Sequence, residues 1–262
     1  MKLERLGAAG LLLAALLLLG GCATTGEARN PRDPWEPFNR HAYNFNEGLD
    51  RVLLKPVATL YRDKVPPLVR TGVSNFFGNL ADGWSAVNSL LQWRLPDFEE
   101  NLARFHVNTM FGVFGIFDVA SDLNIERHRE DFGQTLGRWG VPAGPFLMLP
   151  FLGPSTLRDA AALPIDRRYN LIHRYWPEDG GRDAVYAVQA IDKRANLLRV
   201  GNVLEEAALD KYSFTRDAYL QRRRAEINDR DDNREVPPPL PDESLEPPAA
   251  APAGQPARPP AR

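Results

Sequence analysis

The sequence predicts an all-α fold broken at its centre by an irregular Pro/Gly-rich apolar loop. Three observations predict it. Apolar residues recur at three- and four-residue steps through most of 33–228, the repeat of amphipathic helices. Strand-like alternation is scarce. Between Arg138 and Arg158 lie 19 residues without a charge, including four prolines and three glycines, a composition no regular helix tolerates.

Asp33-Pro34 suits a helix start, with Asp as cap and Pro in the first turn. Trp35, Phe38, Ala42, Phe45, Leu49 and Val52 then form one stripe, until Lys55-Pro56 stops or kinks the helix. Val65-Pro66-Pro67 opens a second helix carrying Val69, Val73, Phe76, Phe77 and Leu80. Asp82 caps a third, with Trp84, Val87, Leu90 and Leu91 on one face. Pro96-Asp97 starts a fourth, striped by Phe98, Leu102 and Phe105. Its continuation, Met110 to Phe117, is apolar on every side, so it is either a buried core helix or a segment dissolved in lipid. Residues 139–153 are too broken to cross a bilayer, because freed backbone groups cannot be left open to hydrocarbon. They are buried in protein, pressed into a bilayer face, or lining a lipid-sized cavity. Thr156-Leu157-Arg158-Asp159 fits a capping box that restarts helix. Val185, Val188, Ile191, Ala195 and Leu198 mark another helix, and two more cover 203–210 and 213–228. The basic Arg222, Arg223 and Arg224 read as a solvated face.

The ends have other compositions. Lys2 and Arg5 precede a charge-free run from Leu6 to Leu19, too short for a transmembrane helix but right for an export signal over 1–21. The only cysteine, Cys22, follows at once, and Leu19-Gly20-Gly21-Cys22 resembles a bacterial lipoprotein signal, in which the cysteine is acylated. Ala23, by analogy with enterobacterial sorting, favours the outer membrane. Residues 22–32 form a tether, 33–228 the helical domain and 229–262 a Pro-rich tail. From Val236 onward, 10 of 27 residues are proline, too little apolar surface to offset ordering.

Several function classes drop out. A net charge of -2 argues against a nucleic-acid partner, and a mean hydropathy of -0.36 against a polytopic membrane protein. His41, His106, His128 and His173 are scattered without metal-ligand spacing, so no metal and no cofactor is expected. Ser155 lacks the Gly-x-Ser-x-Gly elbow, and no phosphate-binding loop is present. Asp131 and His128 could pair as acid and base, but a surface cluster with Arg127, Arg129 and Glu130 accounts for them better. No catalytic site is expected, and the chain reads as a non-enzyme.

Specific strings resemble a known family. They are Asp33-Pro34-Trp35-Glu36-Pro37-Phe38-Asn39-Arg40, Tyr43-Asn44-Phe45-Asn46, Asn75-Phe76-Phe77-Gly78-Asn79-Leu80 and Asp131-Phe132-Gly133-Gln134-Thr135-Leu136-Gly137. Trp139-Gly140-Val141, Gly144-Pro145 and Gly153-Pro154-Ser155-Thr156 continue the series. In this order they resemble the MlaA (VacJ) lipoproteins. Ala160-Ala161-Ala162 depart from the family, where a glycine is expected. The resemblance implies an outer-membrane lipoprotein on the periplasmic side, a helical ring with an amphipathic central channel. It also implies removal of phospholipid from the outer leaflet, a trimeric porin as membrane partner and the periplasmic carrier MlaC as acceptor. On this reading Phe146, Leu147, Leu149, Phe151 and Leu152 touch the bilayer or the channel mouth. Asn44, Phe45 and Asn46 shape gating, against the plainer alternative of helix packing and capping. The competing function is a non-transporting lipoprotein that scaffolds an envelope complex.

Overall fold

The computed structural model describes residues 30–176, 181–207 and 210–228, with backbone alone from 199 to 207. Cys22, the export signal and the Pro-rich tail lie outside the described residues.

The fold is mostly helical, with one small sheet. Helix α1 (Glu36–Leu49) has Pro37 in its first turn, where a missing N–H costs nothing. Asp33 does not cap it. Its carboxylate is buried and accepts hydrogen bonds from Asn39, Tyr212 and Arg216. Lys55-Pro56 does not end the helix either. A π-helical turn over Asp50–Leu54 leads straight into α2 (Lys55–Lys64), with the Lys55 N–H reaching Asp50 O five residues back. Widening the turn this way accommodates the proline within a continuous helical run.

The expected second and third helices are a single helix, α3 (Pro67–Leu91). Asp82 sits mid-helix, buried, with Arg127 at 2.9 Å and Arg104 at 3.5 Å, so it is an ion-pair partner and not a cap. Helix α4 (Leu95–Met110) packs back along α3, the most extensive helix contact among the described residues. Next come α5 (Val119–Asp122), capped by Asp118, and α6 (Phe132–Arg138), capped by Asp131, whose carboxylate accepts from Gln134 N–H at 2.8 Å.

The loop expected to be irregular contains a β-hairpin. Strand β1 (Phe146–Leu149) pairs antiparallel with β2 (Gly153–Thr156), Phe146 opposite Thr156 and Leu149 opposite Gly153. Pro154 is tolerated because a two-stranded sheet consists of edges. The other edge of β1 is covered by side-chain amides of α1. Asn39 donates to Phe146 O at 3.1 Å and accepts from Met148 N–H at 2.8 Å. Seven residues onward, about two helical turns, Asn46 donates to Leu149 O at 2.9 Å and accepts from Phe151 N–H at 2.8 Å. Two asparagines thus serve as a third strand and satisfy an edge that would otherwise invite pairing.

Thr156 caps α7 (Leu157–Tyr169) through Asp159 N–H, as its capping box predicts. Helix α8 (Leu171–Tyr175) follows under an Asn170 cap. Residues expected in a separate helix from 203 continue α9 (Gly181–Ala207), and α10 (Lys211–Asn228) closes the chain. The apolar core is small. One cluster joins Ala42, Phe146, Met148 and Tyr212, and another joins Ala58, Ala195 and Leu198.

Candidate functional site

The distribution of residue types is inverted. Among the described residues, buried polar and charged residues outnumber buried apolar ones, and half of the latter are alanines. Along the α3–α4 contact the interior is lined by Asn79, Asp82, Ser85, Asn88 and Ser89 facing Asn101, Arg104 and Asn108, all buried. Most of these groups are hydrogen-bonded, although Asn79 Oδ1 and Arg104 Nε are buried without a hydrogen-bond partner. Asn101 donates to Ser89 and His128 O, Thr135 donates to Asn88, and Arg104 donates to Asp118. Burial pushes the Asp82 carboxyl up despite Arg127 and Arg104. Burial pushes Asp118 up too, but hydrogen bonds from Ser121 and Asn108, with the Arg104 and Arg127 charges, hold it below its ordinary value.

Outside, the same helices expose Leu68, Val69, Val87, Leu90, Leu91, Leu95 and Leu102. Water-exposed apolar area on this scale marks a surface that meets something apolar. Yet among the described residues no helix is long and apolar enough to cross a membrane.

Residues 110–117 extend this surface. They are not a core helix. Helix α4 ends at Met110, and the chain winds through tight turns with Met110, Phe111 and Phe114 each at least 70% exposed. Val113, Phe114 and Gly115 take positive φ of 51°, 57° and 92°, which breaks the helix. Gly112 makes the turn possible. A Cβ there would lie 2.1 Å from Phe117 O, whose residue donates its N–H to Gly112 O at 2.9 Å.

Behind this turn opens an apolar pocket of about 930 Å³, near the top of the range for ligand sites. Val73, Phe76 and Phe77 of α3 form one wall, Ile116 and Phe117 a second, and Trp176 with Val185 and Val188 of α9 a third. Gly72 keeps this wall close, since a Cβ there would come within 2.9 Å of the Ile116 side chain and push it aside. The charged side chains lining the pocket are Asp118 and Asp122. The lining is otherwise almost wholly apolar. It offers no nucleophile paired with a base.

A second cavity of about 500 Å³ lies under the hairpin tip, bordered by Asn46, Asp50, Phe151, Leu152 and Arg194. The structure divides the residues expected at the lipid. Phe151 and Leu152 are 72% and 67% exposed at the tip, and Leu147 and Leu149 are half-buried. Phe146 is a correction: it is fully buried, with Tyr212 and Tyr219 edge-on to its ring, because alternation along β1 turns Phe146 and Met148 inward together. Asn44 and Phe45 are exposed, and Phe45 meets Phe151 edge-to-face at 5.1 Å. Asn46 holds the tip as described. The supposed surface cluster at 127–131 is also corrected. Arg129 is exposed as expected, but the others reach separate partners: Arg127 reaches Asp82, His128 reaches Glu100, Glu130 reaches Arg94 and Asp131 reaches Arg223. Nor is Arg223 part of a solvated face, since it is buried between Asp131 and Asp159.

Known proteins carry the same organisation. The sequence profile described as MlaA lipoprotein matches residues 31–226. The chain belongs to the MlaA lipoprotein family. It is 40% identical over 211 residues to the intermembrane phospholipid transport system lipoprotein MlaA of Escherichia coli (strain K12), covering 78% of this chain and 82% of that one. The MlaA of Haemophilus influenzae is 33% identical over 226 residues, covering 83% of this chain and 89% of its own. A solved chain described under "Structural basis for maintenance of bacterial outer membrane lipid asymmetry" superposes with a TM-score of 0.67. It is 36% identical and covers 76% of this chain and 100% of its own. The MlaA match spans both the hairpin and the pocket-forming helices. Sequence reasoning placed Val73, Phe76, Phe77, Val185 and Val188 on helix stripes but did not foresee a cavity between them. The signal available was the pairing of bulky stripes with Gly72, which a packed core explains equally well.

Proposed function

We propose that the chain removes mislocalised phospholipid from the outer leaflet of the outer membrane and passes it to the periplasmic carrier MlaC. The observation that carries this reading is the apolar pocket behind residues 111–117, reached beneath an exterior that is itself apolar. The relatives named as phospholipid transport lipoproteins support it. The energetics make the need plain. About 30 buried CH₂ groups at about 0.8 kcal/mol each hold a phospholipid out of water by about 25 kcal/mol. A transfer protein lowers that barrier by offering apolar surroundings to the chains and polar ones to the headgroup, which is costly to drag through hydrocarbon. The pocket supplies the first, and Asp118 and Asp122 add charged groups to its lining.

In this proposal Cys22 carries the acyl anchor, so the protein stays at the periplasmic side of the outer membrane, beside a trimeric porin. The helices lie in the inner leaflet around an amphipathic channel. Leu147, Leu149, Phe151 and Leu152 touch the bilayer or the channel mouth. Asn44, Phe45 and Asn46 set how readily the hairpin tip moves. The transfer proceeds without catalysis.

The test is a deletion strain complemented with the full chain and scored for surface-exposed phospholipid, alongside lipid analysis of the purified protein. The proposal expects complementation to restore asymmetry and phospholipid to co-purify. Restored asymmetry with no bound or transferred lipid would favour the scaffold reading. Release of fatty acid from labelled phospholipid would overturn the non-enzymatic one.

A further inference from the structure

We infer that Glu100, Glu126 and His128 form a divalent-cation site that fastens the segment before α6 to helix α4. One ligand atom from each of the three lies within 4.8 Å of the others. They come from two elements. Glu100 stands on the second turn of α4, three residues after Asp97, so both carboxylates share a helix face. Glu126 and His128 are two apart on the irregular stretch before α6, and both come close to Glu100.

The imidazole is built in. His128 is 5% exposed, and its backbone is held from both sides by one side chain: its N–H donates to Asn101 Oδ1 at 3.1 Å and its carbonyl accepts from Asn101 Nδ2 at 2.8 Å. Its Nε2 faces Glu100, with Asp97 Oδ1 at 3.9 Å. Exposed Glu126 has neither a hydrogen-bond nor an ion-pair partner among the described residues.

Charge sharpens the argument. Asp97, Glu100 and Glu126 bring three carboxylates to one imidazole. Arg94 lies 3.9 Å from Asp97 and is shared with Glu130 at 3.0 Å. A cluster so rich in negative charge is relieved by a bound dication. One imidazole with two or three carboxylates suits Zn²⁺ or Mn²⁺ better than Mg²⁺ or Ca²⁺, which favour all-oxygen shells. Mechanically, the metal would tie residues 126–128 to α4. Arg127, Glu130 and Asp131 of the same stretch already contact α3 and α10 side chains.

The experiment uses the full chain, purified in detergent and stripped with chelator, titrated with Zn²⁺ and Mn²⁺ by calorimetry and followed by thermal unfolding. The expected result is one ion per chain and, at about 100 times the dissociation constant, a rise in Tm of about 5–10 °C. Glu126→Gln, at an exposed position that does not threaten folding, weakens binding by about tenfold or more. His128→Asn abolishes the imidazole-dependent absorption of Co²⁺ bound in place of Zn²⁺, while Glu99→Gln, on the exposed neighbour, changes nothing. Absence of saturable binding, or unchanged binding in Glu126→Gln, would overturn the site and leave the lipid-transfer reading untouched.

Discussion

Replacing Val188 with Asp tests whether the pocket behind residues 111–117 holds lipid chains. Val188 is on α9, 43% exposed, and its exposed face lines the pocket. Because the side chain is not part of the packed interior, the cost to folding is small. Val and Asp also differ little in helix propensity, so stability changes by less than about 1 kcal/mol. The effect on a bound acyl chain is larger. Removing the valine forfeits contact worth roughly 1–2 kcal/mol. A carboxylate facing hydrocarbon adds at least about 1–3 kcal/mol of desolvation. A total of about 3 kcal/mol corresponds to roughly a hundredfold loss of lipid affinity. The assay is quantitative lipid analysis of the purified protein, with the fluorescence of Trp176, which lines the same pocket, reporting titrated phospholipid. Val188→Ile should retain binding. If the Asp variant folds and carries the same amount of phospholipid, the pocket is not the chain-binding site, and the lipid path must be sought elsewhere.

Three further predictions concern the hairpin and the ion pairs. Phe151→Asp leaves the thermal midpoint within a few degrees, because the ring is at an exposed tip, yet raises surface phospholipid in complemented cells. Unchanged surface lipid would remove Phe151 from the lipid path. Asn46→Ala deletes two hydrogen bonds to the hairpin and costs about 1–3 kcal/mol of local stability. Hydrogen exchange should show the Phe151 amide opening faster while the amides of α3 stay protected. Asp159 titrates near 2 in the folded chain: burial pushes it up, but Arg223, Tyr219 and Arg158 outweigh that. Because the folded value lies below the ordinary 3.8, the unfolded chain takes up the proton first. Its stabilisation is therefore full above about pH 4 and lost as pH falls toward 2. Asp159→Asn should flatten that limb of the Tm–pH curve, and an unchanged slope would show that the pair with Arg223 does not govern acid stability.

The asparagines show where sequence reading reaches its limit. Asn39 and Asn46 are seven residues apart, a spacing visible in the sequence, but nothing there says that a strand over a hundred residues away presents matching backbone groups. The hairpin was hidden for a related reason. Phe146 to Leu149 are all apolar, so the alternation between buried and half-buried faces leaves no mark in residue type. Asp82 was misread as a cap because an acid inside a helical pattern resembles a boundary when its arginine partners are distant in sequence.

The sequence by itself determined the helical class, the capping box at Thr156, and the family strings from residue 33 onward. These depend on local spacing and on residue types that carry their own conformational preference. Only the tertiary structure decided which apolar stripes face outward and which asparagines and arginines lie inside. It alone placed Phe146 in the core while leaving Phe151 exposed, and left a cavity between α3 and α9. A helical stripe records that one face is apolar; what that face meets depends on partners far along the chain.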